Sequence, residues 1–83
     1  MSYDVVLTLE AVEDVMQITI ASDAKSVVVN ASKQLQEALR TGPADAGEHL
    51  SEGLYFIDRE PLRAFFTIDA EQMSVEIVNV RQA

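Results

Sequence analysis

A chain of 83 residues is long enough for a single domain, 1–83, and a domain of that size buries only about 60–65% of the surface its unfolded form exposes. With 48% hydrophobic and 24% charged residues it has the composition of a folded globular chain, and having no cysteine it cannot form a disulfide framework, a thiolate metal site or a thiol nucleophile. Fourteen acids against six bases give a formal net charge of −8, which repels nucleic-acid phosphates on average and calls for a partner surface that is basic or neutral.

No run approaches the ~18 apolar residues of a membrane span, and the opening MSYDVVLTLE lacks the basic stretch of a secretory signal. A cytoplasmic chain without membrane contact is therefore expected.

Tyr3, Val5 and Leu7 alternate with Asp4, Val6 and Thr8, which predicts a first strand. From Thr8, an expected N-cap, the spacing changes to helical steps: Leu9, Val12, Val15, Met16 and Thr19 form one side, and Glu10, Glu13, Asp14 and Gln17 the other. The short alternation Gln17-Ile18-Thr19-Ile20 leaves a strand reading open for those positions. Ser22 and Asp23 are good cap types for a second helix, in which Ala24, Val28, Ala31, Leu35, Ala38 and Leu39 make the apolar stripe and Gly42-Pro43 the stop. Two such helices in succession form a hairpin that buries its apolar edge only against a sheet.

Gly42 to Gly53 carries three glycines and one proline in nearly unbroken polar sequence and reads as a loop. His49 lies in it between Glu48 and Glu52; with no second histidine and no cysteine, a solvated loop residue is a simpler reading than a metal ligand or general base. Leu54 to Val80 then holds three apolar runs separated by Asp58-Arg59-Glu60-Pro61 and Asp69-Ala70-Glu71-Gln72, the pattern of a β-meander. Within it Leu62, Ala64, Phe66 and Ile68 line one face, with Arg63, Phe65 and Thr67 on the other. Val75, Ile77, Val78 and Val80 suit a central strand, so Leu54–Ile57 or Tyr3–Leu7 is expected to supply an exposed edge. Together these elements predict an α+β fold of order β-α-α-β-β-β, a two-helix hairpin packed on a small, mainly antiparallel sheet.

The bases are scattered, but Arg59, Arg63 and Arg81 lie on or beside the meander and meet if its strands are neighbours; the alternative is three solvated strand charges. No residue constellation for catalysis, a metal or a cofactor stands out.

Three segments, SYDVVLTLEAVEDVMQI, SVVVNASKQLQEALRTGP and PLRAFFTIDAEQMSVEIVNV, resemble the ParE/RelE superfamily of bacterial toxins from type II toxin-antitoxin pairs, in its first strand and helix, its second helix and its closing hairpin. The resemblance implies that Arg63 stands where RelE-like ribonucleases place a strand arginine that contacts messenger-RNA phosphate. Arg81 lies near the C-terminal basic segment of that branch, but the sequence ends two residues later, and the terminal tyrosine or histidine used there as acid or base has no counterpart. The resemblance thus leans away from an enzyme and toward ParE-like action by protein binding, with an antitoxin or another protein such as DNA gyrase as partner. A groove lined by Val12, Met16, Leu35, Phe56 and Phe65 is the expected seat for it, unless those residues are simply core. A non-toxic binding module of the same fold is the alternative, and a ribonuclease using the three arginines with His49 or Tyr55 as base is a third reading. Whether the chain forms a homodimer is left open.

Overall fold

The computed structural model describes residues 2–83. Thr8 stands between β1 (Asp4–Leu7) and α1 (Leu9–Ala21) with an extended backbone, and its Oγ1 accepts the Ala11 N–H at 3.1 Å, so it caps the helix as its side chain predicts. α1 continues unbroken through residues 17–20, which settles those positions as helix. Ile18 and Thr19 face inward there, and packing outweighs their weak helix propensity.

The packed side of α1 is turned from the expected stripe. Ala11 is fully buried, with Val15 and Ile18 against the core, whereas Leu9, Val12 and Met16 are 74%, 39% and 56% exposed. The cause is Asp14, an acid that the periodicity places outside but that reaches the sheet (below), and so fixes the rotation of the helix.

α2 (Lys25–Thr41) buries Val28, Ala31, Leu35 and Leu39, as its stripe predicts. Its N-cap is Ala24, not Ser22 or Asp23. Ser22 instead closes α1, its N–H donating to the Thr19 carbonyl at 3.3 Å and its Oγ accepting the Ala24 N–H at 3.0 Å. The joint is so short that Ser22 serves both helices, its backbone N–H the one that ends and its hydroxyl the cap residue of the one that begins.

The segment expected as loop is structured. Gly42 ends α2, Pro43 opens the short helix α3 (Pro43–Ala46), and β2 (Glu48–Ser51) follows, so the order is β-α-α-α-β-β-β-β. All residues of β2 are exposed, and a strand with no buried face leaves no apolar period to read.

β3 (Leu54–Arg59), β4 (Leu62–Asp69) and β5 (Ser74–Gln82) form the predicted meander. The five-stranded sheet runs β1-β5-β4-β3-β2, with β1 parallel to β5 and every other pairing antiparallel. β5 is central, as its valines suggest, and β1 is one edge. The second edge is β2, which covers β3. Helices α1 and α2 lie on one face, where Val28, Leu35 and Leu39 meet Ile57, Leu62, Ala64, Phe66, Val75 and Ile77.

The ladder between β4 and β5 slips by one residue at Val78: Phe65 is opposite Asn79, and Phe66 opposite Ile77. The bulge lets Val75, Ile77 and Val80 all point into the core. Two residues flanking and within α1 hold it. Thr8 Oγ1 donates to the Val78 carbonyl at 3.3 Å, and Asp14 Oδ2 accepts both the Val80 N–H at 3.0 Å and the Asn79 Nδ2 at 3.1 Å.

Candidate functional site

The face of the sheet opposite the helices is uncovered. Because side chains alternate along each strand, the register stacks two rows of residues across it. One rung joins Glu48, Phe56, Phe65 and Asn79; the next joins Asp58, Arg63 and Arg81. The rings of Phe56 and Phe65 are half-buried, with centroids 6.4 Å apart. Arg63 lies over Phe56, its guanidinium carbon 4.6 Å from the centroid, and Arg81 over Phe65 at 5.8 Å.

The two arginines differ in what fills their hydrogen-bonding fork. Arg63 donates through Nε to Asp58 Oδ1 at 2.7 Å and through Nη2 to Asp58 Oδ2 at 2.8 Å, a bidentate pair with both side chains 41% exposed. The hydrogen bonds from Arg63 hold the Asp58 carboxyl below its ordinary range, against a small opposing effect of burial. They also raise the guanidinium pKa of Arg63, to which the charges of Asp58 and Glu48 add. Among the described residues Arg81 meets only a neutral acceptor, Asn79 Oδ1, at 3.1 Å.

Beside Arg81 the face dips into a cleft of about 400 Å³ lined by Leu50, Leu54, Phe65, Val78, Asn79 and Arg81. The bulge makes this cleft, since the extra residue at Val78 re-aims both Val78 and Asn79. Leu50 reaches it from the edge strand, where a second register slip lies between His49 and Ser51, and it is 52% exposed. Sequence periodicity missed Leu50, Val78 and Asn79, because each sits at a break in the ladder where alternation fails.

No protein-family model matches the sequence, and no curated protein does. Among solved structures, a chain of the toxin-antitoxin complex RelBE2 from Mycobacterium tuberculosis superposes with a TM-score of 0.84 at 21% identity, covering 100% of both chains. A chain of the chromosomal ParDE system from P. aeruginosa gives 0.71 at 15% identity, covering 98% of this chain and 96% of that one. The E. coli RelBE toxin-antitoxin complex gives 0.70 at 20% identity over the same shares, 98% and 96%. The fold is that of the RelE and ParE toxins.

Within this RelE/ParE-like fold, the three arginines are not gathered. Arg63 and Arg81 are direct cross-strand partners on the open face. Arg59 pairs with buried Leu62 and turns to the helix side, where it lines a shallow cleft of about 540 Å³ with Lys33, Gln34, Glu37 and Thr41. His49 and Tyr55 also lie on the helix side: the His49 ring meets Tyr55 edge-on at 5.2 Å, and Tyr55 stacks at 5.6 Å on the core ring of Phe66. The set of three arginines with His49 or Tyr55 is therefore split between two faces.

The five groove residues are split as well. Leu35 is core, Val12 and Met16 face solvent from α1, and Phe56 and Phe65 are on the far side of the sheet. Ala64 and Phe66 take the helix side of β4, as its alternation predicts, and leave Phe65 on the opposite face with its cross-strand partner Phe56. No helix is long and apolar enough to cross a membrane, and no group of three metal-ligating side chains occurs among the described residues.

Proposed function

We propose that this chain is the toxin-like member of a type II toxin-antitoxin pair and that it acts by holding protein on the open face of its sheet, as the ParE branch does, without catalysing a reaction. The observation that carries this reading is the composition of that face. An apolar cleft lined by Phe65 and Arg81 adjoins the Phe56 ring and the Arg63 guanidinium, and Asp58 and Glu48 offset the charge of the two arginines, with Glu76 farther along the same face. A surface without net positive charge suits an apolar side chain beside one carboxylate, which Arg81 is free to take, far better than a run of phosphates. The residues expected to supply a base lie on the other side of the sheet.

The RelBE2 and RelBE structures named above are toxin-antitoxin complexes, and an antitoxin is accordingly the first partner assigned to this face. A cellular protein target, with DNA gyrase as the ParE-like instance, is the second. A second copy paired along the exposed edge β2 is the competing occupant, and light scattering of the purified chain reads it.

The test is induced expression in bacteria of the wild type, Leu50→Glu and Arg81→Ala, with transcript integrity followed in parallel. Growth arrest with uncut transcripts, relieved by both substitutions, is the expected result. Cleaved transcripts refute action by binding alone. Normal growth at good soluble yield refutes toxicity and leaves a non-toxic binding module.

A further inference from the structure

An open sheet face that carries two neighbouring aromatic rings and two arginines has the general make-up of a platform for single-stranded nucleic acid, in which bases stack on rings and guanidiniums take phosphates. Phe56 and Phe65, 6.4 Å apart on paired strands, and Arg63 beside Arg81 on the next rung supply every part of it. One residue spoils the platform. Asp58 is directly opposite Arg63 on β3 and fills its fork with both carboxylate oxygens, at 2.7 and 2.8 Å. The same contact pins the guanidinium over the Phe56 ring, 4.6 Å from its centroid, so it also covers a stacking surface.

We propose that Asp58 is the specificity-determining residue of this face: by occupying Arg63 it withholds a capacity to bind single-stranded RNA that the face otherwise has, and so reserves it for protein. The inference rests on the reading of the open face as the docking surface. A phosphodiester approaching Arg63 has to displace a carboxylate already held in bidentate geometry, and it meets the charge of Asp58 and then of Glu48 as it does so. Arg81 alone offers one contact, too little to hold a polyanion against a chain of net charge −8. With Asp58 made neutral, Arg63 and Arg81 present adjacent donors beside two rings.

The probe is a fluorescently labelled unstructured RNA oligonucleotide, read by anisotropy against the purified full chain at about 50 mM salt and upward. Asp58→Asn is expected to bind about tenfold more tightly than wild type and to steepen the slope of log K against log salt by about 0.7, the signature of one added phosphate contact on a single strand. Asp58→Asn combined with Arg63→Gln is expected to lose that gain. Glu71→Gln, which changes net charge equally from the β4–β5 turn, is expected to show none of it. Asp58→Thr, which suits a strand, repeats the measurement if the Asn variant does not fold, and a thermal melt checks each protein. Equal RNA affinity in wild type and a folded Asp58 variant overturns the proposal, as does a gain that survives Arg63→Gln or that Glu71→Gln reproduces. The growth assay reads toxicity and this assay reads nucleic-acid affinity, so the two readings fail separately.

Discussion

Gly47 joins α3 to β2, and its replacement by alanine tests the packing beneath the site. Its backbone, φ −102° and ψ 172°, is one that any residue adopts, so the position demands room and not a special conformation. A Cβ there falls 2.9 Å from Phe66 Cε1 and 3.0 Å from the Phe56 carbonyl oxygen, and closer still to Phe66 Cζ. Neither neighbour retreats easily: Phe66 is fully buried and stacked on Tyr55, and the carbonyl belongs to the backbone of an inner strand. Overfilling a packed site costs about 1–3 kcal/mol, and the stiffer unfolded chain returns ~0.4–1 kcal/mol. The net loss of about 1–2 kcal/mol corresponds to a fall in Tm of about 5–15 °C for a domain of this size. Thermal melts followed by circular dichroism measure it. The clash is with a ring, so in a Phe66→Leu background the added cost of Gly47→Ala should shrink by about 1 kcal/mol. An unchanged or raised Tm, or the same cost in both backgrounds, refutes the reasoning.

Asp14→Ala removes the acceptor for the Asn79 amide and for the backbone N–H of Val80, a residue only 4% exposed, and should lower stability by about 1–3 kcal/mol in urea titrations, with Asp14→Asn losing less. Thr8→Ala should cost about 1 kcal/mol through the lost cap, and Thr8→Ser should stay near wild type by the same measurement. Leu39→Ala should cost about 2–5 kcal/mol, whereas Leu9→Ala, at a position 74% exposed, should fall within about 0.5 kcal/mol of wild type. Asp58, held below its ordinary pKa of 3.8 chiefly by the hydrogen bonds from Arg63, contributes stability that is full above that value and lost as pH falls through its lowered one. The small difference in urea midpoint between wild type and Asp58→Asn should therefore be level from about pH 5 upward and close below pH 3.8.

The elements with one buried face were legible in the sequence. β4 shows a plain alternation, and α2 a stripe at Val28, Ala31, Leu35 and Leu39, because burial on one side forces a period. β2 was not legible, since an edge strand exposed at all four positions obeys no such constraint. α1 was legible as a helix but not in its rotation: Asp14 looked like a solvent residue, and only the bulge in β5, far along the chain, gives its carboxylate a reason to face inward. The candidate site suffered most from this. Arg63 and Arg81 could be singled out as strand arginines, yet which face they shared depended on registers that Pro61, Val78 and Leu50 set locally. That Asp58 is opposite Arg63 follows from the length of the β3–β4 turn, a quantity that alternation within a strand does not contain.

The parallel pairing of β1 with β5 sets the order in which this molecule can be built. Asp4–Leu7 are made before the helices and the other strands, and their ladder partners, Ser74–Ile77, belong to β5, which follows all of them. A chain halted anywhere before Ser74 has no place for β1, and α1 lacks the strand whose bulge takes Thr8 and Asp14. Until then the apolar side of α1 and the edge of β4 that β5 will cover are both exposed, the condition under which partly made chains aggregate or are cleared. Closure of the longest sequence separation comes last and completes the sheet, so a slow, cooperative folding step is expected, with little stable structure in N-terminal fragments.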